Sequence, residues 1–374
     1  MKVVADDKIP FLKGVLESEG IVVEYLAGAK TTADDVRNAD ALITRTRTKC
    51  NETLLKGSQV KFIATATIGF DHIDTDYLEK NSIAWTNAPG CNSSSVAQYM
   101  TSLLLNWAVK RHVPLAGKTL GVVGAGHVGS KVAAVGRALN MNVLLNDPPR
   151  ARQEGNAGFV ELDEIIEKSD IITVHVPLEY DSADPTYHLV DNALLKRLRK
   201  DQFLVNASRG EVVDNAALRE ALKNKRLDGA ALDVWENEPD IDLELLELLE
   251  YATPHIAGYS TDGKSNGTAM SVNALAEFFN LSDRLKNWYP DNVPLPEKIV
   301  IECPADGTLE EKLLAAVSHS YNIAEDSLHL RCNAGEFEKL RGNYPLRRES
   351  GVFTVCNADA ECAAILRKLG FNIN

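Results

Sequence analysis

Short, continuously apolar runs alternate along the chain with stretches whose apolar residues recur at helical spacing. Residues 2–5, 21–25, 41–44 and 61–65 are rich in β-branched side chains and predict strands, while 11–19, 33–38 and 52–56 predict helices. Alternation on this scale points to a parallel sheet covered by helices. A longer helical pattern over 93–111 follows Ala88-Pro89-Gly90 and is stopped by Pro114-Leu115-Ala116-Gly117. From Lys118 the alternation restarts, with strands at 119–123, 142–146, 170–174, 202–206 and 229–233. Helical patterns at 128–139, 162–168, 192–198 and 215–224 separate them. Residues 267–286 read as one further long helix, after which Pro290, Pro294 and Pro296 mark a stiff, extended linker. The remainder predicts a small α+β module, with strands at 298–302 and 352–356 and helices at 309–318 and 358–369. No internal repeat or low-complexity tract interrupts this pattern.

Composition narrows the class. With Lys+Arg 40 against Asp+Glu 53 the formal net charge is −13, which repels a phosphate backbone and disfavours nucleic acid as a partner. No apolar run approaches the roughly 18–20 residues that cross a bilayer, so no membrane partner is expected. The opening MKVVADDKIPF lacks the apolar core of a signal peptide. Six cysteines are scattered without C-x-x-C or paired metal spacing, which suits free thiols in a reducing compartment. The expectation is a cytoplasmic, multi-domain protein without a metal.

The clearest motif is Gly124-Ala125-Gly126-His127-Val128-Gly129, a G-x-G-x-x-G that follows one predicted strand and opens a helix. Gly124 allows the tight turn, Gly126 lets a pyrophosphate approach the backbone, and Gly129 permits close helix–strand packing. The helix N-terminus then offers unpaired N–H groups to the phosphates. Asp147 ends the next predicted strand, where an acid accepts both ribose hydroxyls of NAD and repels the extra phosphate of NADP. Arg150 and Arg152 stand close by and keep NADP open at this stage.

Three later segments, at predicted strand ends, hold candidate chemistry: Asn206-Ala207-Ser208-Arg209-Gly210, Asp233-Val234-Trp235-Glu236-Asn237-Glu238-Pro239 and Pro254-His255-Ile256-Ala257-Gly258-Tyr259. Ligands of open α/β sheets bind outside the carboxyl ends of strands. If a 2-hydroxy acid is oxidised, an arginine fork can hold its carboxylate, a histidine can take the hydroxyl proton, and a carboxylate can orient that imidazole. His175 reads as structural. Periodicity alone does not bring Arg209, Glu238 and His255 together.

These motifs, with Thr67-Ile68-Gly69-Phe70-Asp71-His72-Ile73-Asp74, resemble the D-isomer-specific 2-hydroxyacid dehydrogenases over about residues 1–286. The resemblance implies a Rossmann-type NAD domain at 96–257 and a discontinuous flavodoxin-like substrate domain at 1–95 and 258–286, with the active site in the cleft between them. It makes Arg209 the carboxylate ligand, His255 the acid/base and Glu238 its partner. Cofactor contacts are implied at Gly124, Gly126, His127, Val128, Gly129 and Asp147. Further ones are implied at Val176, Ala207, Ser208, Arg209, Asp233 and Gly258, with Asp233 on the nicotinamide carboxamide. Substrate contacts are implied at Thr46, Thr67 and Tyr259. The tail, with 336–341, Asn343-Tyr344 and Arg347-Arg348-Glu349, is similar to a branch of the family whose C-terminal domain, here 287–374, pairs two copies as a homodimer. That branch acts on a small phosphorylated 2-hydroxy acid, and Arg45, at the end of a predicted strand, is a candidate for its phosphate. Arg341, Arg347 and Arg348 read as surface charges. Another dehydrogenase of the family, or an NAD-sensing regulator without activity, would carry the same core motifs.

Overall fold

The computed structural model describes residues 1–374, which divide into two compact units. The first comprises 1–92 and 260–294. Its strands β1 (Lys2–Asp6), β2 (Val22–Leu26), β3 (Ala41–Thr44), β4 (Phe62–Thr65) and β5 (Ala84–Thr86) form a parallel sheet in the order β2-β1-β3-β4-β5. That is the flavodoxin-like order, with its switch point between β1 and β3. Alternate residues feed two cores. Val3, Ala5, Ile43 and Phe62 pack with Val272, Leu275 and Ala276 of the helix Thr261–Phe278. Val4, Leu42 and Ile63 face the short helices Ala33–Val36, Glu52–Leu55 and Thr75–Lys80.

Two expected helices differ here. Over 11–19 only Glu17–Glu19 makes a helical turn, because Phe11 (φ 63°) and Gly14 (φ 87°) take left-handed backbone. The 267–286 pattern begins earlier, at Thr261, and breaks after Phe278, where Asn280 (φ 48°) turns the chain into a separate helix Asp283–Lys286.

The second unit comprises 93–259 and 295–374. Strands β6 (Thr119–Val123), β7 (Asn142–Asn146), β8 (Ile171–Val174), β9 (Phe203–Asn206), β10 (Gly229–Leu232) and β11 (Tyr251–Ala252) form a parallel sheet ordered β11-β10-β9-β8-β6-β7. The chain crosses from β7 past β6 to β8, so the switch point lies between β6 and β8. The helix Ser93–Arg111 is buried on most of its circumference, which is why its sequence shows little amphipathic contrast.

That helix explains the grouping of the tail. The C-terminal module has its own parallel sheet, β12 (Val300–Glu302), β13 (Thr354–Cys356) and β14 (Asn372–Ile373), in the order β12-β13-β14. Leu313, Ala316 and Val317 of the helix Leu309–Ser320 nevertheless share one core with Leu103, Leu104 and Trp107. Polar ties reinforce this, and they place two arginines differently from the sequence reading. Arg347 (4% exposed) donates to Gln98 Oε1 at 2.8 Å and to the carbonyls of Ser95 (2.6 Å) and Ile256 (3.2 Å). Arg348 is 9% exposed, and its carbonyl accepts from Gln98 Nε2 at 3.0 Å. Arg347 is an interior residue because helix Ser93–Arg111 and the 254–259 segment present carbonyls and an amide oxygen that its guanidinium satisfies. No helix is long and apolar enough to cross a membrane.

Candidate active site

The glycine turn sits at the β6/β8 switch point. Gly124 follows β6 with φ 86°, and a Cβ there would lie 2.6 Å from the carbonyl of His175, which follows β8. Only glycine fits that left-handed, close-packed position. Gly126 N-caps the helix His127–Ala138 with no side-chain cap, and nothing lies within 4 Å of where its Cβ would stand. His127, Val128 and Gly129 form the first turn of that helix, and Gly129 abuts the carbonyl of Gly124. An uncapped helix start beside an open glycine fits a dinucleotide pyrophosphate.

Asp147, N-cap of the helix Pro148–Glu154, folds back onto the turn. Its Oδ2 accepts from Ala125 N at 2.8 Å and its Oδ1 from Arg150 N at 3.0 Å, leaving further lone pairs for ribose hydroxyls. The two nearby arginines are engaged elsewhere. Arg150 donates to Ala125 O and pairs with Glu154 at 2.7 Å, while Arg152 pairs with Asp184. This favours NAD over NADP. Across the turn, Val176 approaches Gly124. His175 bonds Thr173 Oγ1 at 2.9 Å, and burial pushes its imidazole down to about 3, so it is neutral and structural.

Arg209 is carried by the turn after β9. Buried Asn206 clamps that turn, accepting from Ser208 N (3.0 Å) and Oγ (2.8 Å) and donating to the Arg209 carbonyl at 2.8 Å. Ala207 packs on the core edge. Gly210 lies against the Trp235 backbone too closely for any side chain, so the turns after β9 and β10 touch. Arg209 Nη1 also donates to the Ser208 carbonyl at 2.9 Å.

The turn after β10 delivers Glu238, and the segment after β11 delivers His255. Asp233 (2% exposed) folds that segment, accepting from Thr253 Oγ1 (2.7 Å), Ile256 N (2.7 Å) and Ala257 N (2.9 Å). Asn237 (φ 61°) and His255 (φ 57°) both hold left-handed backbone, a strain often stored at functional sites. His255 Nδ1 and Glu238 Oε2 are 2.8 Å apart, and Glu238 Oε1 accepts from Trp235 N at 3.0 Å. Burial raises the Glu238 carboxyl. Its bonds from His255 and Trp235 and the nearby Arg341 outweigh that and hold it below the ordinary carboxylate range. An ionised Glu238 requires the proton on Nδ1 and leaves Nε2 as the acceptor.

Gly258 and Tyr259 follow, and the tail reaches them. Arg341, on the helix Phe337–Gly342, donates from Nη2 to the Tyr259 hydroxyl at 3.2 Å. Its Nη1 lies 4.0 Å from Glu238 Oε2. Arg341 is therefore a site neighbour rather than a surface charge. Periodicity could not find it; the signal was an arginine on a short aromatic-anchored stretch of an otherwise acidic chain. The structure thus gathers the glycine turn, Asp147, Arg209, Glu238, His255, Tyr259 and Arg341 in one unit.

In the other unit, Arg45 and Thr46 follow β3, and Thr67 follows β4. Arg45 Nη1 donates to the Lys8 carbonyl at 3.2 Å, across that sheet's own β1/β3 switch point. Thr67 Oγ1 donates to Gly69 O at 2.9 Å and stands 2.9 Å from Thr65 Oγ1. Thr46 is exposed. As for metals, His188, Asp214 and Glu236 converge, but Asp214 caps a helix and Glu236 holds His188 at 2.7 Å and Asn215 N at 2.9 Å.

Residues 96–257 match the family model of the D-isomer specific 2-hydroxyacid dehydrogenase NAD binding domain, and 294–370 match a domain of unknown function (DUF3410). The chain is 50% identical over 355 residues to an erythronate-4-phosphate dehydrogenase of Bacteroides fragilis, covering 95% of this chain and 99% of that one. It is 41% identical over 372 residues to one of Porphyromonas gingivalis, covering 99% and 100%. Among solved structures it is similar to a D-lactate dehydrogenase from Aquifex aeolicus complexed with NAD and lactic acid. There the TM-score is 0.63 with 27% identity, over 77% of this chain and 98% of that one.

Proposed function

Because the chain belongs to the D-isomer-specific 2-hydroxyacid dehydrogenases, in the erythronate-4-phosphate branch, we propose that it oxidises 4-phospho-D-erythronate at C2 with NAD. The product is (R)-3-hydroxy-2-oxo-4-phosphooxybutanoate, on the route to pyridoxal 5'-phosphate. The observation that carries this reading is the 2.8 Å His255–Glu238 pair, with Nε2 open, in the same unit as the glycine turn and Arg209.

NAD, when bound, accepts as hydride the hydrogen that leaves C2. His255 takes the hydroxyl proton on Nε2 as the C2–O bond becomes a carbonyl, and returns it in the reverse direction. Such help is worth about 10²–10⁴-fold. Glu238 keeps the imidazole in the accepting tautomer and offsets the imidazolium that forms. Arg209 holds the substrate carboxylate by a planar, two-pronged contact. The N–H groups of His127 and Val128 receive the pyrophosphate at Gly124, Gly126 and Gly129, and Asp147 receives the ribose. Val176, Ala207, Ser208 and Gly258 line the cofactor, and the remaining capacity of Asp233 Oδ2 serves the carboxamide. Thr46, Thr67 and Tyr259 contact the substrate, with Arg45 for its phosphate.

We further assign the C-terminal module to pairing two copies of the chain. Support comes from Leu295, Val300, Leu328 and Leu346, all exposed on it, and from the uncovered edge of β12. Six free cysteines, four of them buried, suit the cytoplasm.

The test is NADH formation from 4-phosphoerythronate, 3-phosphoglycerate and glycerate in parallel. Preference for 4-phosphoerythronate is the expected result. Preference for phosphoglycerate would assign another dehydrogenase of the family, and turnover of none would favour an NAD-binding regulator.

A further inference from the structure

Arg341 ties the C-terminal module to the acid/base pair, and we propose that it is a positioning residue, setting the charge around Glu238 and His255 and the aim of the Tyr259 hydroxyl. The inference rests on the oxidation proposed above. The anchoring is specific. Phe337, at the start of the same helix, is 1% exposed and belongs to the core that holds Trp235 and Leu330. The Arg341 side chain, 17% exposed, lies with Cζ 5.7 Å from the Tyr259 ring centre and 6.0 Å from that of Phe337. Nη2 bonds the Tyr259 hydroxyl at 3.2 Å, and Nη1 bonds Glu338 Oε1 at 3.3 Å. The same Nη1 is 4.0 Å from the Glu238 oxygen that holds His255 Nδ1 at 2.8 Å. The guanidinium therefore stands within about 7 Å of the imidazole, inside the range of an unscreened interaction. Its Nε is buried with no partner in the chain.

The elements that carry the pair and their neighbours bear further charged and titratable groups. Glu236 and Glu238 come from the turn after β10, Arg209 from the turn after β9, and Asp233 from beneath the 253–257 segment. Tyr259 follows that segment and stacks edge-on against Tyr344, whose hydroxyl donates to Asp326 at 2.6 Å. The tail adds Arg341, Glu338 and Arg347, and Arg347 donates to Gln98 and to backbone carbonyls. Arg341 thus opposes the charge that Glu238 places beside the imidazole.

The experiment compares the full-length protein with Arg341→Gln, Arg341→Lys and Glu338→Gln, the last at a half-exposed position. In Arg341→Gln the rise of kcat/KM with pH should move upward by about half to one pH unit. Arg341→Lys should return it most of the way, and Glu338→Gln should move it slightly downward. The imidazole signal that disappears in His255→Asn, followed by NMR in cofactor-free protein, should show the same order. Unchanged midpoints in Arg341→Gln and Glu338→Gln would overturn the proposal. So would a rise in KM for the phosphorylated acid with no displaced profile, which would make Arg341 a substrate contact. If the wild type turns over none of the acids, the oxidation reading fails, while the imidazole titration still decides the placement of Arg341.

Discussion

Replacing Arg347 with methionine tests how firmly the tail is built into the dinucleotide-binding unit. The arginine donates to Gln98 Oε1, Ser95 O and Ile256 O at 2.8, 2.6 and 3.2 Å, and its Cζ lies 3.7 Å from the Tyr321 ring centre. Methionine keeps much of the apolar stem and removes the cation and every donor. Gln98 Oε1 then loses its donor, at about 1–3 kcal/mol for a buried acceptor left unpaired, while the Ile256 carbonyl keeps the Tyr259 N–H at 2.9 Å and the Ser95 carbonyl stays within its helix. Some of this is offset because the arginine no longer has to be desolvated. Asp326, whose carboxyl burial already raises, loses the Arg347 charge that opposes the rise, and becomes harder still to ionise. The net loss is about 2–4 kcal/mol, from the orphaned Gln98 oxygen and the lost charge-assisted bonds. In a unit of this size that corresponds to a fall in Tm of roughly 10 °C. Calorimetry of the intact chain measures the loss, and hydrogen exchange locates it. Helices Ser93–Arg111 and Leu309–Ser320 should lose protection together. A Tm within about 2 °C of wild type with unchanged protection would refute the reasoning and leave the shared apolar core as the sole tie.

Two other perturbations follow from the same geometry. Gly126→Ala meets nothing within 4 Å, so it should fold with a Tm near wild type yet bind NADH about tenfold or more weakly, because its methyl occupies the pyrophosphate approach; fluorescence titration of unaltered affinity would remove Gly126 from the site. Acid should destabilise each unit through a partly buried histidine: burial lowers His72 to about 4 and His175 to about 3, against about 6.5 unfolded. Below pH 6.5 the unfolded chain binds protons that the folded chain refuses, so stability falls with pH, by about 2 kcal/mol per histidine at pH 5. Glu238, held low, gives stability that disappears only further into acid, below the ordinary glutamate range, so a flat urea midpoint between pH 7 and pH 5 would contradict the histidine account.

Most of the fold was legible because parallel strands are buried on both faces. Such strands read as unbroken apolar runs, and β3 and β6 fall on the predicted residues, as does the half-buried edge strand β7. Several helices went unseen. Thr75–Lys80, Leu243–Leu248 and Phe337–Gly342 span six residues each, which gives a 3.6-residue period little room, and the ten-residue Ile323–Cys332 shows little amphipathic contrast. The predicted helix over 11–19 shows the opposite error. Its apolar spacing is helical, yet Leu12 and Leu16 reach the core from a turn-rich path set by left-handed backbone at Phe11 and Gly14.

The site divides along the same line. Gly124, Arg209 and Glu238 could be named in advance because each follows a strand that the apolar pattern reveals; His255 follows the two-residue β11, which that pattern did not show, and was named through the family resemblance. The tail arginines could not, because their meaning lies in long-range partners: Arg347 meets Gln98 and Ile256, and Arg341 meets Tyr259 and Glu238. A charged side chain in a polar stretch reads as solvated until the fold supplies buried acceptors around it. That distinction bears on what the tail is for. Pairing two copies needs only exposed apolar surface, such as Leu328 and Leu346, and would leave the interior arginines unexplained. Arg347 bonds the carbonyl of Ile256, the residue after His255, so the tail also fixes the backbone that presents the imidazole. Loss of the tail should therefore disturb the acid/base segment of its own chain as well as any pairing of chains.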